Sequence, residues 1–179
     1  MDRDDLYSPI KQELDQVLDI LGETHREDLA PIQELLSYAM EVPGKLVRPA
    51  LTLLAAKCCK EPNLEHAVAV ATAVELLHMA SLIQDDTIDE ADVRRGRPTV
   101  NKIWGRDVAM LVGDFLFSKA AELTCQANDI RVIQSYARAS KDASAGELSE
   151  LLANYDITVT EEQYMERIRA KTASLFSTA

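Results

Sequence analysis

The chain has 179 residues, 47% of them apolar and only 5% aromatic, with a net charge of −11. That length suits one domain with a substantial core, and a low aromatic content beside abundant Ala and Leu favours helix over sheet. The acidic balance excludes a general nucleic-acid binder, which needs a positive face. The acidic, amphipathic start MDRDDLYSPIKQEL is neither a secretory signal nor a transit peptide. Ser8-Pro9 predicts an N-cap with Pro at the first helical position, after which Ile10, Leu14, Val17, Leu18 and Leu21 keep helical spacing to Gly22. A second helix is expected from Pro31 to a stop at Pro43-Gly44, and a third over residues 48–60. Pro62-Asn63 then opens a long helix over 64–89, and Gly96 and Pro98 make 90–100 a loop. Helices over 107–127 and 129–154 follow, and Thr160 with Gln163 forms a capping box for a last helix toward Ser177. No strand alternation, tandem repeat or linker appears, so the expected class is all-α, a bundle of long helices in a single domain over residues 1–179. Cys58, Cys59 and Cys125 form no CxxC pair, which leaves zinc and redox motifs unsupported and makes a reducing cytoplasm the expected setting.

The run AVAVATAVELLHMASLI is apolar on nearly every side, as in a helix buried in a core. Glu75 and His78 interrupt it and acids end it, so no transmembrane segment is expected. It delivers Asp85, Asp86 and Asp89 at its end, followed at once by Arg94, Arg95 and Arg97. Asp85 and Asp89 are four apart and project together. Two aligned carboxylates repel unless a cation joins them, and all-oxygen ligands suit Mg²⁺, which takes further oxygens from phosphates. Guanidinium pairs well with those phosphates. The plainer reading of such a cluster is a solvated helix end; the buried helix that carries it favours a site. His78 lies seven residues earlier on the same stripe, roughly 10 Å away. Gly44-Lys45-Leu46-Val47-Arg48 puts two cations at a helix start, where free N–H groups also favour anions. Alone, these are ordinary surface cations, and so is Lys171 beside Thr172 in the last helix.

Together, GKLVRPAL, ELLHMASLIQDDTIDEADVRRGRP, MLVGDFLFSKA and KTASLF resemble the trans-polyprenyl diphosphate synthases, in that family's order and spacing and over nearly the whole chain. The resemblance implies an isoprenoid-synthase-type bundle and head-to-tail condensation of isopentenyl diphosphate with an allylic diphosphate. It implies that Asp85 and Asp89 hold Mg²⁺, with Asp86 less directly involved. Arg94, Lys171 and Thr172 would grip the allylic diphosphate, and Lys45, Arg48, His78 and Arg95 the diphosphate of isopentenyl diphosphate. It also implies a homodimer, for which Val108, Leu111, Val112, Phe115 and Leu116 form a candidate apolar face. Large side chains four and five positions before the first aspartate stop chain growth early in this family. Here those positions are Ser81 and Ala80, so the expected product is geranylgeranyl length or longer, octaprenyl-like, with Phe115 or Phe117 as candidate tunnel floor.

The chain departs from the family pattern in three places. It has no second aspartate-rich motif before Ala179, so it reads as the N-terminal portion of a synthase, truncated, with half the metal site missing. Gln84 stands where His is frequent, and Glu150 in GELSEL where Gln is frequent. Two other classes compete with an enzyme. One is a non-catalytic partner subunit of a heteromeric synthase, which would have no need of Asp85, Asp89, Arg94, Lys45 and Lys171 together. The other is a helical module for another diphosphate or nucleotide, for which no P-loop or GxGxxG speaks.

Overall fold

A computed structural model of the protein describes residues 3–26, 30–41 and 44–179. Helix α1 (Arg3–Tyr7) leads through a 3₁₀ turn at Ser8–Ile10 into α2 (Lys11–Glu23). Then come α3 (Ala30–Met40), α4 (Val47–Lys57) and the 25-residue α5 (Leu64–Ile88). A two-residue antiparallel pair, β1 (Val93–Arg94) with β2 (Arg97–Pro98), precedes α6 (Val100–Trp104), α7 (Arg106–Gln126) and α8 (Ile130–Leu152). The last stretch is α9 (Glu161–Ile168), a π-turn at Arg169–Ala173 and α10 (Ser174–Thr178). The class is all-α, as the sequence predicts.

Helix α5 is the axis of the core, packed chiefly on α7 and also on α4 and α2. It is long and apolar enough to cross a membrane by composition, but 67% of its most apolar stretch is buried inside the fold. Its interior turns are small residues, Ala71, Thr72, Ala73 and Ala80, which let neighbouring helices approach closely. Leu76, Leu77, Leu53, Leu116 and Ile10 fill the space between them.

The caps follow local chemistry. Asn63, Asp129 and Thr160 each accept a hydrogen bond from a backbone N–H two or three residues on, and Gln163 closes the predicted capping box. Other boundaries differ from the sequence reading. Ser8 is not a cap: it lies in the 3₁₀ turn and its hydroxyl donates back to the Asp5 carbonyl. Helix α2 runs through Gly22, since one exposed glycine costs a helix only about 1 kcal/mol. Pro43 of the expected Pro-Gly stop lies outside the described residues. The 90–100 segment is a hairpin followed by a short helix rather than a plain loop, and the last helix is broken by the π-turn. The candidate apolar face of α7 is divided. Val112 and Leu116 are core, Val108 and Phe115 pack against it, and Leu111 is 67% exposed.

Candidate active site

The C-terminal end of α5 carries two adjoining subsites. The first surrounds Asp85. This carboxyl is half-buried, and its pKa is pushed up to about 7 by that burial and by Glu147 of α8, which also shares a hydrogen bond with it; Lys171 acts in the opposite direction, and Asp89 adds a further like charge. Lys171 Nζ lies 2.7 Å from Glu147 Oε2 and 2.6 Å from Glu150 Oε2. Those carboxylates hold the ammonium charged and raise its pKa against the burial that lowers it.

Lys171 reaches α8 because of two backbone features. It sits in the π-turn, whose extra residue turns the chain out of α-helical register. Opposite stands Gly146, where a Cβ would come within 2.6 Å of the Lys171 backbone nitrogen. Only glycine admits that approach. Thr172, next in the turn, is exposed.

The second subsite is a cavity beside the first, where Glu75, His78, Arg94 and Arg95 line the wall with Gly44. The β1–β2 hairpin delivers its arginines. Arg95 and Gly96 form the two-residue turn with φ of 52° and 80°, a left-handed pair natural for Gly but costly for Arg. Tyr38 fixes the hairpin to α3: its hydroxyl donates to the Pro98 carbonyl at 2.8 Å, and the Arg97 guanidinium stacks on its ring at 4.6 Å while pairing with Glu41. So a strained arginine is held where the cavity needs a cation.

Arg48, from the first turn of α4, lies against Phe176 of α10 with its guanidinium carbon 4.1 Å from the ring centroid. Its Nε is buried and makes no hydrogen bond. Burial, and the charges of Arg48, Arg95 and Arg94, push the His78 pKa down to about 4. His78 is thus a neutral imidazole at neutral pH, able to donate one N–H but not to act as a cation. Lys45 is exposed, and its backbone carbonyl accepts from the Tyr7 hydroxyl at 3.0 Å.

Arg94 and Asp86 stand between the subsites as a pair. Arg94 Nε is 2.7 and 2.8 Å from the two oxygens of Asp86, which is 6% exposed. Asp86 is thereby paired with an arginine that also feels the charges of Asp85 and Asp89. Among the described residues no group of three or more His, Cys, Asp or Glu side chains is gathered as a metal cage.

Sequence reasoning placed Asp85, Asp89, Lys171, His78, Arg48, Arg94 and Arg95, and the fold brings all of them to this end of α5. It missed Glu147 as a partner of Asp85, for which α8 offers no local signal. It used Glu75 only as an interruption of an apolar run, although a lone acid inside a buried helix is itself a signal.

A family model, polyprenyl synthetase, matches residues 30–179. The chain belongs to the polyprenyl synthetase family. It is 34% identical over 177 residues to an all-trans-nonaprenyl-diphosphate synthase (geranyl-diphosphate specific) of Rhodobacter capsulatus, covering 99% of this chain and 54% of that protein. It is 36% identical over 172 residues to heptaprenyl diphosphate synthase component 2 of Geobacillus stearothermophilus, covering 96% and 53%. Among solved structures it resembles a polyprenyl synthase from Caulobacter crescentus CB15, complexed with calcium and isoprenyl diphosphate, with a TM-score of 0.93 and 34% identity over 99% of this chain and 54% of that one. The chain therefore spans about half the length of the curated relatives it matches.

Proposed function

We propose that the full-length protein is a prenyltransferase that condenses isopentenyl diphosphate with an allylic diphosphate. The observation that carries the reading is the pairing of two subsites across the end of α5. One has crowded carboxyls with a lysine; the other has arginines with a neutral imidazole. Relatives named as nonaprenyl, heptaprenyl and octaprenyl diphosphate synthases support the same class.

The first subsite suits Mg²⁺. Asp85 is crowded by Glu147 and Asp89, a donor set that a hard cation would relieve. Asp85 and Asp89 would hold the ion, which when bound supplies Lewis-acid stabilisation of the departing pyrophosphate. Lys171 takes charge from the allylic diphosphate, with Thr172 beside it and Arg94 at the boundary. Arg48, Arg95 and Lys45 bind the diphosphate of isopentenyl diphosphate, and His78 donates a single N–H. The two subsites adjoin at one helix end, so the alkene can be held against the allylic carbon. No side-chain base is needed, because the pyrophosphate product can accept the released proton.

The reading of product length rests on the small residues before Asp85. Ser81 is small, its hydroxyl donating to the His78 carbonyl at 2.8 Å, and Ala80 is fully buried. The stripe continues through Leu77, Val74 and Val70, which line a cavity of about 300 Å³ whose far wall carries Asp129, Arg131 and Ser135. Small side chains at 80 and 81 support a product of geranylgeranyl length or longer, octaprenyl-like. A homodimer in the cytoplasm completes the proposal. Two-fold dimers are the commonest assembly, Leu111 is the exposed apolar residue on α7, and the three cysteines are free.

The test is product chromatography of the full-length protein with isopentenyl diphosphate, geranyl or farnesyl diphosphate and Mg²⁺. Chain elongation that stops at farnesyl would refute the length assignment. No turnover alone, with turnover restored by a second synthase subunit, would replace the enzyme by a partner subunit.

A further inference from the structure

Glu75 lines the arginine-rich cavity one helical turn before His78 and is 4% exposed. A carboxylate is out of place in a subsite for an anion. Its charge opposes the ligand, and taking it out of water costs several kcal/mol unless cations answer it. Burial raises the Glu75 pKa above its ordinary value, and the charges of Arg48 and Arg95 both act against that rise. Glu75 in turn is the charge that offsets the burial of Arg48. Glu75 Oε1 and Arg95 Nη2 converge on one point, 3.3 and 3.4 Å from where a Cβ on residue 44 would stand. Residue 44 is glycine, so the carboxylate and the guanidinium close over bare backbone.

Two arginines near one buried carboxylate repel each other while the anion subsite is empty. With one buried carboxylate behind them, that repulsion becomes attraction, and neither side chain has to be gathered from solvent when the ligand arrives. Preorganisation of this kind lowers the ordering cost of binding.

We propose that Glu75 is a positioning residue for the isopentenyl diphosphate subsite: a buried counter-charge that answers Arg48 and holds Arg95, with Gly44 leaving the space in which the carboxylate and the Arg95 guanidinium meet. The proposal rests on the assignment of that subsite made above. Its effect is expected on one substrate, because Asp85, Glu147 and Lys171 are not among the residues that line this cavity.

The experiment is steady-state kinetics on the full-length protein with each substrate varied in turn, for wild type, Glu75→Gln, Gly44→Ala and Arg95→Ala, with a melting curve for each. Glu75→Gln keeps shape and removes charge. It is expected to raise the KM for isopentenyl diphosphate about tenfold and to leave the KM for the allylic substrate within about twofold. Should Glu75→Gln not fold, Gly44→Ala decides, since its methyl pushes on both groups and is expected to raise the same KM. Arg95→Ala is the control on the subsite. If it leaves the KM for isopentenyl diphosphate unchanged, the subsite assignment itself falls. If it raises that KM while the deciding variant leaves it unchanged, or shifts both KM values equally, the subsite stands and the positioning role of Glu75 is overturned.

Discussion

Gly113 of α7 and Gln84 of α5 share one space: a Cβ on residue 113 would lie 2.6 Å from Gln84 Cγ. Gln84 then crosses to α7 and donates from Nε2 to Asp114 Oδ1 at 3.0 Å. The residue immediately before Asp85 is thereby clamped between two helices. Gly113→Ala should push on the stem of Gln84, which cannot swing away as a side-chain tip would. We expect a loss of about 1–3 kcal/mol of stability, read by chemical denaturation, together with weaker binding of the allylic substrate as Asp85 shifts. An unchanged denaturation midpoint would show that Gln84 is free to move.

Asp85→Ala should abolish most of the turnover of the full-length protein. Loss of a metal-holding carboxylate removes several kcal/mol of transition-state stabilisation, or roughly a hundredfold or more in kcat. A kcat within about tenfold of wild type would refute its role.

Glu150→Gln should tighten allylic binding. Lys171 is divided between Glu147 and Glu150, and removing one carboxylate frees part of its charge for a diphosphate. A fall of about threefold in the KM for the allylic substrate is expected, with no change for isopentenyl diphosphate. A rise would mean that Glu150 aims Lys171 rather than restrains it.

Ala80→Phe should shorten the product and destabilise the protein at once. Ala80 is 0% exposed, so the ring overpacks the core at a cost of about 1–3 kcal/mol. Chromatography that shows unchanged chain length in a folded variant would place the end of the tunnel elsewhere.

Glu13 and Lys57 give a pH dependence remote from the site. Glu13 is 7% exposed, and Lys57 Nζ lies 2.7 Å from its carboxylate and 2.6 Å from the Pro9 carbonyl. The hydrogen bond from Lys57 holds the Glu13 pKa below its ordinary value of 4.5. A depressed pKa contributes stability that is full above the unfolded value and is lost as pH falls through the folded one. Wild type should thus lose stability below about pH 4.5 through this pair, and Glu13→Gln should flatten that part of the profile. Lys57→Met leaves the acid buried without its cation, and is expected to destabilise by about 3 kcal/mol at neutral pH. Parallel acid profiles for wild type and Glu13→Gln would exclude the pair as their source.

The sequence makes legible whatever is decided within a few residues. Asn63, Asp129 and Thr160 announce their helices because a cap is a contact over two or three residues. Asp85 and Asp89 announce a shared face because helical period is local. The π-turn at Arg169–Ala173, the α6 turn and the division of the α7 face are settled by packing between distant segments. Glu147 meets Asp85 only because α8 folds back on α5, and the Asp86–Arg94 pair depends on where the hairpin docks. The most specific motif was therefore readable, while the partners that set its charge state were not.

The wide turn at Arg169–Ala173 carries an implication for how this chain tolerates insertions and deletions. Each residue advances an α-helix by about 100°. Excision of a single residue there, such as Ala170, would restore regular winding and rotate everything beyond it by about that angle relative to α9. Lys171 would no longer face Glu147 while Leu175 kept its buried place, or the reverse. A one-codon length change in this turn should therefore be purged even where substitutions at the same positions are accepted, which makes the turn a frame marker for the whole C-terminal stretch of the site.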